Sequence, residues 1–161
     1  MTSAEAVLAA LRGRGWTLAV AESLTGGALA DAFVRVPGAS TVLVGAVVAY
    51  ATPLKATVLG VDEALLRREG PVHPEVAAQM ADGVRRALAV DGRPADVGVA
   101  TTGVAGPDPQ GGRPPGTVYV AVATPTGVVV RRTDLPGDRP AVRAGAVEAA
   151  LGLLGEVLPE E

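Results

Sequence analysis

Short apolar runs that alternate with longer, Ala-rich amphipathic segments most restrict what this chain can fold into. Five runs have the length and the Val and Ala content of buried strands, namely residues 17–21, 41–50, 96–101, 119–123 and 128–132. Helical spacing of apolar residues is clearest at 27–36, 74–90 and 140–157. A Pro-Thr-Gly turn joins the last two strands into an antiparallel hairpin. The order therefore predicts an α/β fold, a three-layer α/β/α sandwich with a mixed parallel/antiparallel sheet, in one domain over residues 1–161.

Composition narrows the classes of protein that fit. Hydrophobic residues make up 48% of the chain and aromatic residues only 2%, so Val, Leu and Ala must fill the core. The net charge is −3 and both signs are scattered, which argues against nucleic acid as a partner. No apolar segment has the roughly 18–20 residues of a membrane span, and the N-terminus does not resemble a signal peptide. We therefore expect a cytoplasmic protein without a nucleic-acid or membrane partner.

Metal chemistry and the common nucleophile motifs find no support in the sequence. The chain has no Cys and a single His, so a cluster of His, Cys and carboxylate ligands is not expected. His73 precedes a proline at the start of a predicted helix, where a capping role is expected rather than a catalytic one. Neither a Walker phosphate loop nor a Gly-x-Ser-x-Gly elbow is present. We expect no metal and no cofactor.

The chain contains a single lysine, which points to a base. The sequence has thirteen Arg but only one Lys, Lys55, and its three serines are Ser3, Ser23 and Ser40. A buried amine can lose its proton near neutral pH, whereas a guanidinium cannot. We place Lys55 in the first turn of a short helix, where the helix dipole also disfavours its charge. Either Ser23 or Ser40 is then the candidate nucleophile, and the alternative is a surface lysine without a role.

Three stretches combine glycine with small polar residues near strand ends, at 22–27, 37–40 and 101–106. In layered α/β folds, ligands collect at the carboxyl ends of strands, where backbone N–H groups and helix N-termini are available. Thr25, Gly26 and Gly27 fit an anion-binding turn of this kind. The alternative is an ordinary tight turn between a strand and a helix.

Taken in order, the motifs of the chain resemble those of the CinA C-terminal domain family, whose members are nicotinamide-nucleotide amidases. The motifs that carry the resemblance are AESLTGG at 21–27, GAS at 38–40, VAY at 48–50 followed by Lys55, TGVAGP at 102–107, PGTV at 115–118 and PGDR at 136–139. The resemblance extends from about Glu5 to Leu158 and is closest to the stand-alone form of the domain. It implies that the carboxamide of nicotinamide mononucleotide is hydrolysed to nicotinate mononucleotide and ammonia.

The resemblance also implies roles for particular residues. A serine attacks the carboxamide carbon with neutral Lys55 as general base, and Tyr50 and Thr102 line the same pocket as hydrogen-bond or relay partners. Backbone donors would come from Gly26, Gly27, Gly103 and Gly106, and the 5′-phosphate would be held by Arg139 and Arg143. The loop at 108–115 is either a lid or a cover for a sheet edge, and any role for Arg113 is open.

Two other functions fit the same resemblance. One is a non-catalytic member of the fold that binds a nucleotide or a partner. The other is an interaction module in DNA uptake or the damage response, which the scattered acidic charge disfavours. For the quaternary structure, the Ala-, Val- and Leu-rich terminal helices supply either the face of a homodimer or part of the core.

Overall fold

The computed structural model describes residues 1–158. Its elements follow the predicted order, with one added 3₁₀ turn at Ala39–Thr41 before the second strand. The helices are α1 (Ala4–Arg14), α2 (Ala28–Val34), α3 (Thr52–Thr57), α4 (Glu63–Glu69), α5 (Pro74–Ala87) and α6 (Arg139–Val157). The strands are β1 (Leu18–Glu22), β2 (Leu43–Val48), β3 (Val97–Gly103), β4 (Thr117–Thr124) and β5 (Gly127–Asp134).

The five strands form one mixed sheet in the order β2-β1-β3-β4-β5. β1 pairs in parallel with β2 and β3, so that Glu22 lies opposite Val48. β4 is antiparallel to both β3 and β5, and Thr102 of β3 lies opposite Tyr119 of β4. The predicted mixed sheet and its closing hairpin are confirmed.

Helices cover both faces of the sheet, which confirms the three-layer sandwich. On one face α1, α2 and α6 enclose a core that includes Leu8, Phe33 and Leu153. On the other face α4 and α5 enclose a second core that includes Leu65 and Met80. Successive residues of each central strand point to opposite faces, so these strands are buried along almost their whole length and are mostly apolar, as is typical of sheets covered on both sides.

Several boundaries differ from the sequence prediction. β2 covers Leu43–Val48 rather than the whole run 41–50, and its register with β1 shifts between Leu43 and Gly45. α5 ends at Ala87 rather than at residue 90. His73 is the N-cap of α5, its Nδ1 accepting the N–H of Glu75, as predicted.

One edge of the sheet gathers the elements that form the site. The parallel strands β1, β2 and β3 all end there, and antiparallel β4 begins there. β5 also ends at this edge, so α6, which follows it directly, starts there as well. We call it the carboxyl edge. Within residues 1–158, no helix combines the length and the apolarity needed to cross a membrane.

Candidate active site

A serine and the single lysine of the chain meet at the carboxyl edge. Ser23 is the first residue after β1, and Lys55 lies in α3, shortly after β2. The Lys55 Nζ lies 3.0 Å from the Ser23 Oγ and 2.7 Å from the carbonyl oxygen of Ala49. Ala49 directly follows β2, and Ser23 directly follows the neighbouring strand β1. The Lys55 amine therefore lies between the ends of these two strands.

The surroundings of Lys55 favour its uncharged form. The side chain is 1% exposed, and no carboxylate of residues 1–158 forms an ion pair with it. Burial lowers the pKa of Lys55 from 10.5 to about 8, because the ammonium loses its hydration. The prediction that Lys55 lies in the first turn of its helix was wrong. α3 begins at Thr52 with Ala51 as its N-cap, so Lys55 lies in the last turn.

An amine in this position can act as a base towards the serine. Neutral Nζ carries two N–H groups and one lone pair. One N–H group is directed at the Ala49 carbonyl, which leaves the lone pair for the hydroxyl proton of Ser23. When Nζ is protonated, it donates to the Ser23 Oγ instead and the lone pair is lost. Only molecules with a neutral amine can therefore activate the nucleophile, and their fraction falls as the pH drops below the pKa of the amine.

Arg139 joins two other parts of the carboxyl edge. Its Nη1 donates to the carbonyl oxygen of Gly106 at 2.7 Å, and its Nη2 donates to the Tyr50 hydroxyl at 3.0 Å. Tyr50 is 60% exposed, so it is not a packing residue of the core. Arg139 is the first residue of α6, and the side chain of Asp138 caps that helix through the N–H of Ala141.

These side chains line one cavity of about 460 Å³, a size that suits a small organic molecule. Ser23 and Lys55 lie on its wall together with Tyr50, Thr102, Asp108 and Arg139. The loop at 108–115 was predicted to be either a lid or a cover for a sheet edge, and its first residues, 108–110, form part of the wall of this cavity. Within residues 1–158, no group of three or more His, Cys, Asp or Glu side chains is placed to hold a metal ion.

The end of β3 supplies another part of the cavity wall. The Thr102 hydroxyl donates to the Pro71 carbonyl at 2.8 Å, so it ties the segment before α5 to the strand and can only accept from a ligand. Gly103 and Gly106 also line the cavity. At Gly103 a Cβ would lie 2.7 Å from the carbonyl oxygen of Thr117, so glycine is needed there for the close approach of β4.

The turn after Ser23 is not part of the cavity wall beyond Leu24. The Thr25 hydroxyl is buried and lies 2.8 Å from the hydroxyl of Thr101. The N–H of Gly26 donates to the Ser23 carbonyl, and Gly27 is the N-cap of α2. The structure therefore gives Thr25, Gly26 and Gly27 a place behind the serine rather than against a ligand.

Ser40 lies away from this site. It belongs to the 3₁₀ turn that precedes β2, whereas Ser23 follows β1. Because β1 and β2 are parallel, the two serines lie at opposite edges of the sheet. Ser40 is exposed and lines a separate surface groove beside Val36 and Leu43. Of the two serines predicted as the nucleophile, only Ser23 is brought to Lys55.

Glu22, directly before Ser23, is a buried residue for which no role was predicted from the sequence. Its side chain is 0% exposed, and its two carboxylate oxygens accept the N–H groups of Leu29 at 2.9 Å and Ala30 at 3.1 Å. Those N–H groups belong to the first turn of α2. The sequence did offer a signal for Glu22, namely a charged residue at the end of an otherwise apolar strand. It offered none for the Ala49 carbonyl that accepts from Lys55.

The fold and this site together define a three-layer α/β protein with a serine–lysine pair at the carboxyl edge of its sheet. Residues 1–158 match the profile of the family described as CinA C-terminal domain. The chain belongs to the CinA C-terminal domain family.

Relatives and solved structures agree with this assignment. A CinA-like protein of Frankia casuarinae is 52% identical over 94% of this chain, and one of Gloeobacter violaceus is 47% identical over 95%. The chain spans about a third of the length of these curated relatives, 34% and 35% respectively.

Among solved structures, a CinA superfamily protein of Klebsiella pneumoniae superposes with a TM-score of 0.88 at 34% identity, covering 94% of this chain and 92% of its own. A competence/damage inducible protein of Agrobacterium tumefaciens also gives 0.88, at 30% identity, covering 98% of this chain and 93% of its own. These names state a family and a mode of induction, and they state no reaction.

Proposed function

We propose that this protein hydrolyses the carboxamide of nicotinamide mononucleotide to nicotinate mononucleotide and ammonia. The observation that carries the proposal is the buried contact of 3.0 Å between the Lys55 Nζ and the Ser23 Oγ on the wall of a cavity. Amide hydrolysis requires a nucleophile and a base that later protonates the leaving amine, and this pair supplies both. The substrate itself is suggested by the family resemblance.

The reaction proceeds in two halves. In the first, neutral Lys55 takes the hydroxyl proton of Ser23 as the Oγ forms a bond to the carboxamide carbon and the carbonyl electrons move to oxygen. Collapse of this adduct breaks the C–N bond, and the Lys55 ammonium protonates the departing amide nitrogen, which leaves as ammonia. In the second half, Lys55 takes a proton from water, which attacks the ester, and Ser23 regains its proton as nicotinate leaves.

Release of ammonia by the purified protein tests the proposal directly. Nicotinamide mononucleotide is compared with nicotinamide riboside and with free nicotinamide, and nicotinate mononucleotide is identified by chromatography. Ammonia is expected from the mononucleotide at the highest rate. Binding of the mononucleotide without release of ammonia would favour a non-catalytic member of the family, and neither binding nor release would contradict both readings.

The activity is expected to depend on the protonation of Lys55. Its pKa in the folded protein is about 8, and only the neutral amine accepts the serine proton. At low pH kcat/KM should therefore fall about tenfold per pH unit, and it should level off above pH 8. The measurement is kcat/KM for ammonia release between pH 6 and about 9.5 at constant ionic strength. A rate that does not change over that range would contradict Lys55 as the base.

Arg139 is the residue that we expect to hold the 5′-phosphate. It lies at the cavity and uses two of its five N–H donors within the protein, which leaves others for a phosphate oxygen. Arg139→Met should raise KM for nicotinamide mononucleotide about 10–100-fold, the effect of one lost charge-assisted hydrogen bond. The control is nicotinamide riboside, which lacks the phosphate and should be little affected. An equal loss with both substrates would show that Arg139 does not act through the phosphate.

A further inference from the structure

Arg143 holds the turn that follows Ser23 and does not line the cavity. Its Nε donates to the Leu24 carbonyl at 2.9 Å, and its Nη2 donates to the Thr25 carbonyl at 2.9 Å. The planar guanidinium therefore spans two successive carbonyls, a fork-like geometry that an ammonium cannot reproduce. This places Arg143 behind the nucleophile rather than in front of it.

A glycine in this turn leaves space for the Arg143 guanidinium. A Cβ at Gly26 would lie 3.3 Å from the Arg143 Nη2, and Gly26 has a φ of +59°. The Thr25 hydroxyl is held by Thr101 on the neighbouring strand, so the same residue is fixed at both its side chain and its carbonyl. Few degrees of freedom remain between β1 and α2, where Ser23 begins the turn.

We propose that Arg143 is a positioning residue that keeps the Ser23 Oγ within hydrogen-bond reach of the Lys55 Nζ. The inference rests on the proposed function insofar as Ser23 is the nucleophile. Leu24 is bonded directly to Ser23, and a planar peptide transmits a shift of one residue to the next. A misplacement of about 1 Å in a reacting group can lower a rate by about 10²-fold. Arg143 can therefore affect the rate of the reaction without contacting the ligand.

The test uses covalent labelling of Ser23 by phenylmethylsulfonyl fluoride, which reports on the serine without any nucleotide. In this reaction the Ser23 Oγ forms a bond to sulfur and fluoride leaves, while Lys55 takes the hydroxyl proton. Arg143→Lys should lower the labelling rate at least about tenfold. For nicotinamide mononucleotide, kcat should fall by a similar factor while KM stays within about twofold, because Arg143 does not line the cavity.

Arg85→Lys is the matched control. Arg85 also donates to two carbonyls, those of Ala95 and Thr124, but it does so at the edge of the sheet opposite the site. Arg85→Lys is expected to leave the labelling rate unchanged. Arg143→Ala provides a second test, since added methylguanidinium should restore its labelling towards the wild-type rate. All rates are referred to folded protein, measured by circular dichroism.

The possible results separate this inference from the proposed function. An unchanged labelling rate in Arg143→Lys would overturn the positioning role, and so would a raised KM with unchanged labelling, which would place Arg143 at the substrate. Failure of methylguanidinium to restore labelling in Arg143→Ala would also count against it. If wild-type Ser23 is labelled but no ammonia is released, the proposed function fails while the labelling rates still decide the role of Arg143. A wild-type Ser23 that resists labelling would contradict both.

Discussion

Ser23→Ala is expected to abolish nearly all release of ammonia from nicotinamide mononucleotide, while Ser40→Ala retains it. Removing the attacking oxygen should lower kcat at least roughly 10³-fold, because the remaining groups can only orient the substrate. Ser40 lies at the opposite edge of the sheet, so its removal should change kcat less than about twofold, as for a surface substitution away from the site. Both rates are measured at saturating substrate near pH 8.5.

The two variants together decide which serine is the nucleophile, because each removes the same hydroxyl group from the same chain. Thermal melting of both variants checks that neither result comes from loss of the fold. A Ser23→Ala protein with a near-normal rate would remove the serine mechanism altogether. A large loss in Ser40→Ala would instead require that residue to act at a site formed by more than one chain.

Lys55→Met should lower kcat about 10²–10⁴-fold, the contribution expected of a general base. Methionine is similar in length and apolar, so it fits a side chain that is 1% exposed and removes the cost of burying an amine. Ala49 loses one hydrogen-bond partner in the variant, which limits any gain in stability. We therefore expect the melting temperature to stay close to that of the wild type while turnover is lost.

Lys55→Arg separates the charge of the side chain from its ability to release a proton. Guanidinium keeps the positive charge but stays protonated over the accessible pH range. Turnover should be lost in this variant too, and raising the pH should not restore it. Activity near the wild-type level in either variant would contradict an amine base. A pH profile that stays unchanged after the substitution would do the same.

Much of the fold was predictable because each signal was local. The apolar runs and the Pro and Gly residues between them predicted the order of strands and helices, and from it a three-layer sandwich with a mixed sheet; the structure confirms both. The rule that ligands meet the carboxyl ends of parallel strands pointed to three stretches, of which 22–27 and 101–106 hold the cavity residues Ser23 and Thr102, whereas 37–40 lies away from the site. Both residues line the same cavity.

The remaining parts of the site depend on contacts between distant residues. A lysine in a short helix can be exposed or buried, and only the packing of α3 shows that Lys55 is enclosed. The Arg143 side chain reaches a turn more than a hundred residues earlier, and its partners are carbonyl groups, which every residue carries. The position of Ser40 could be predicted only once the direction of β2 was known. Ser40 precedes β2 and Ser23 follows β1, so in a parallel pair of strands the two serines lie at opposite edges of the sheet.

The carboxylate of Glu22 has a consequence for where an anionic ligand can bind in this fold. In many α/β proteins the first helix after a strand offers its free N–H groups to a phosphate. Here the chain's own acid already accepts two of those groups in α2, so an incoming anion would find them occupied and would meet a like charge. If the protein acts on the proposed mononucleotide, recognition of its phosphate must then come from Arg139, the first residue of α6, which lines the cavity.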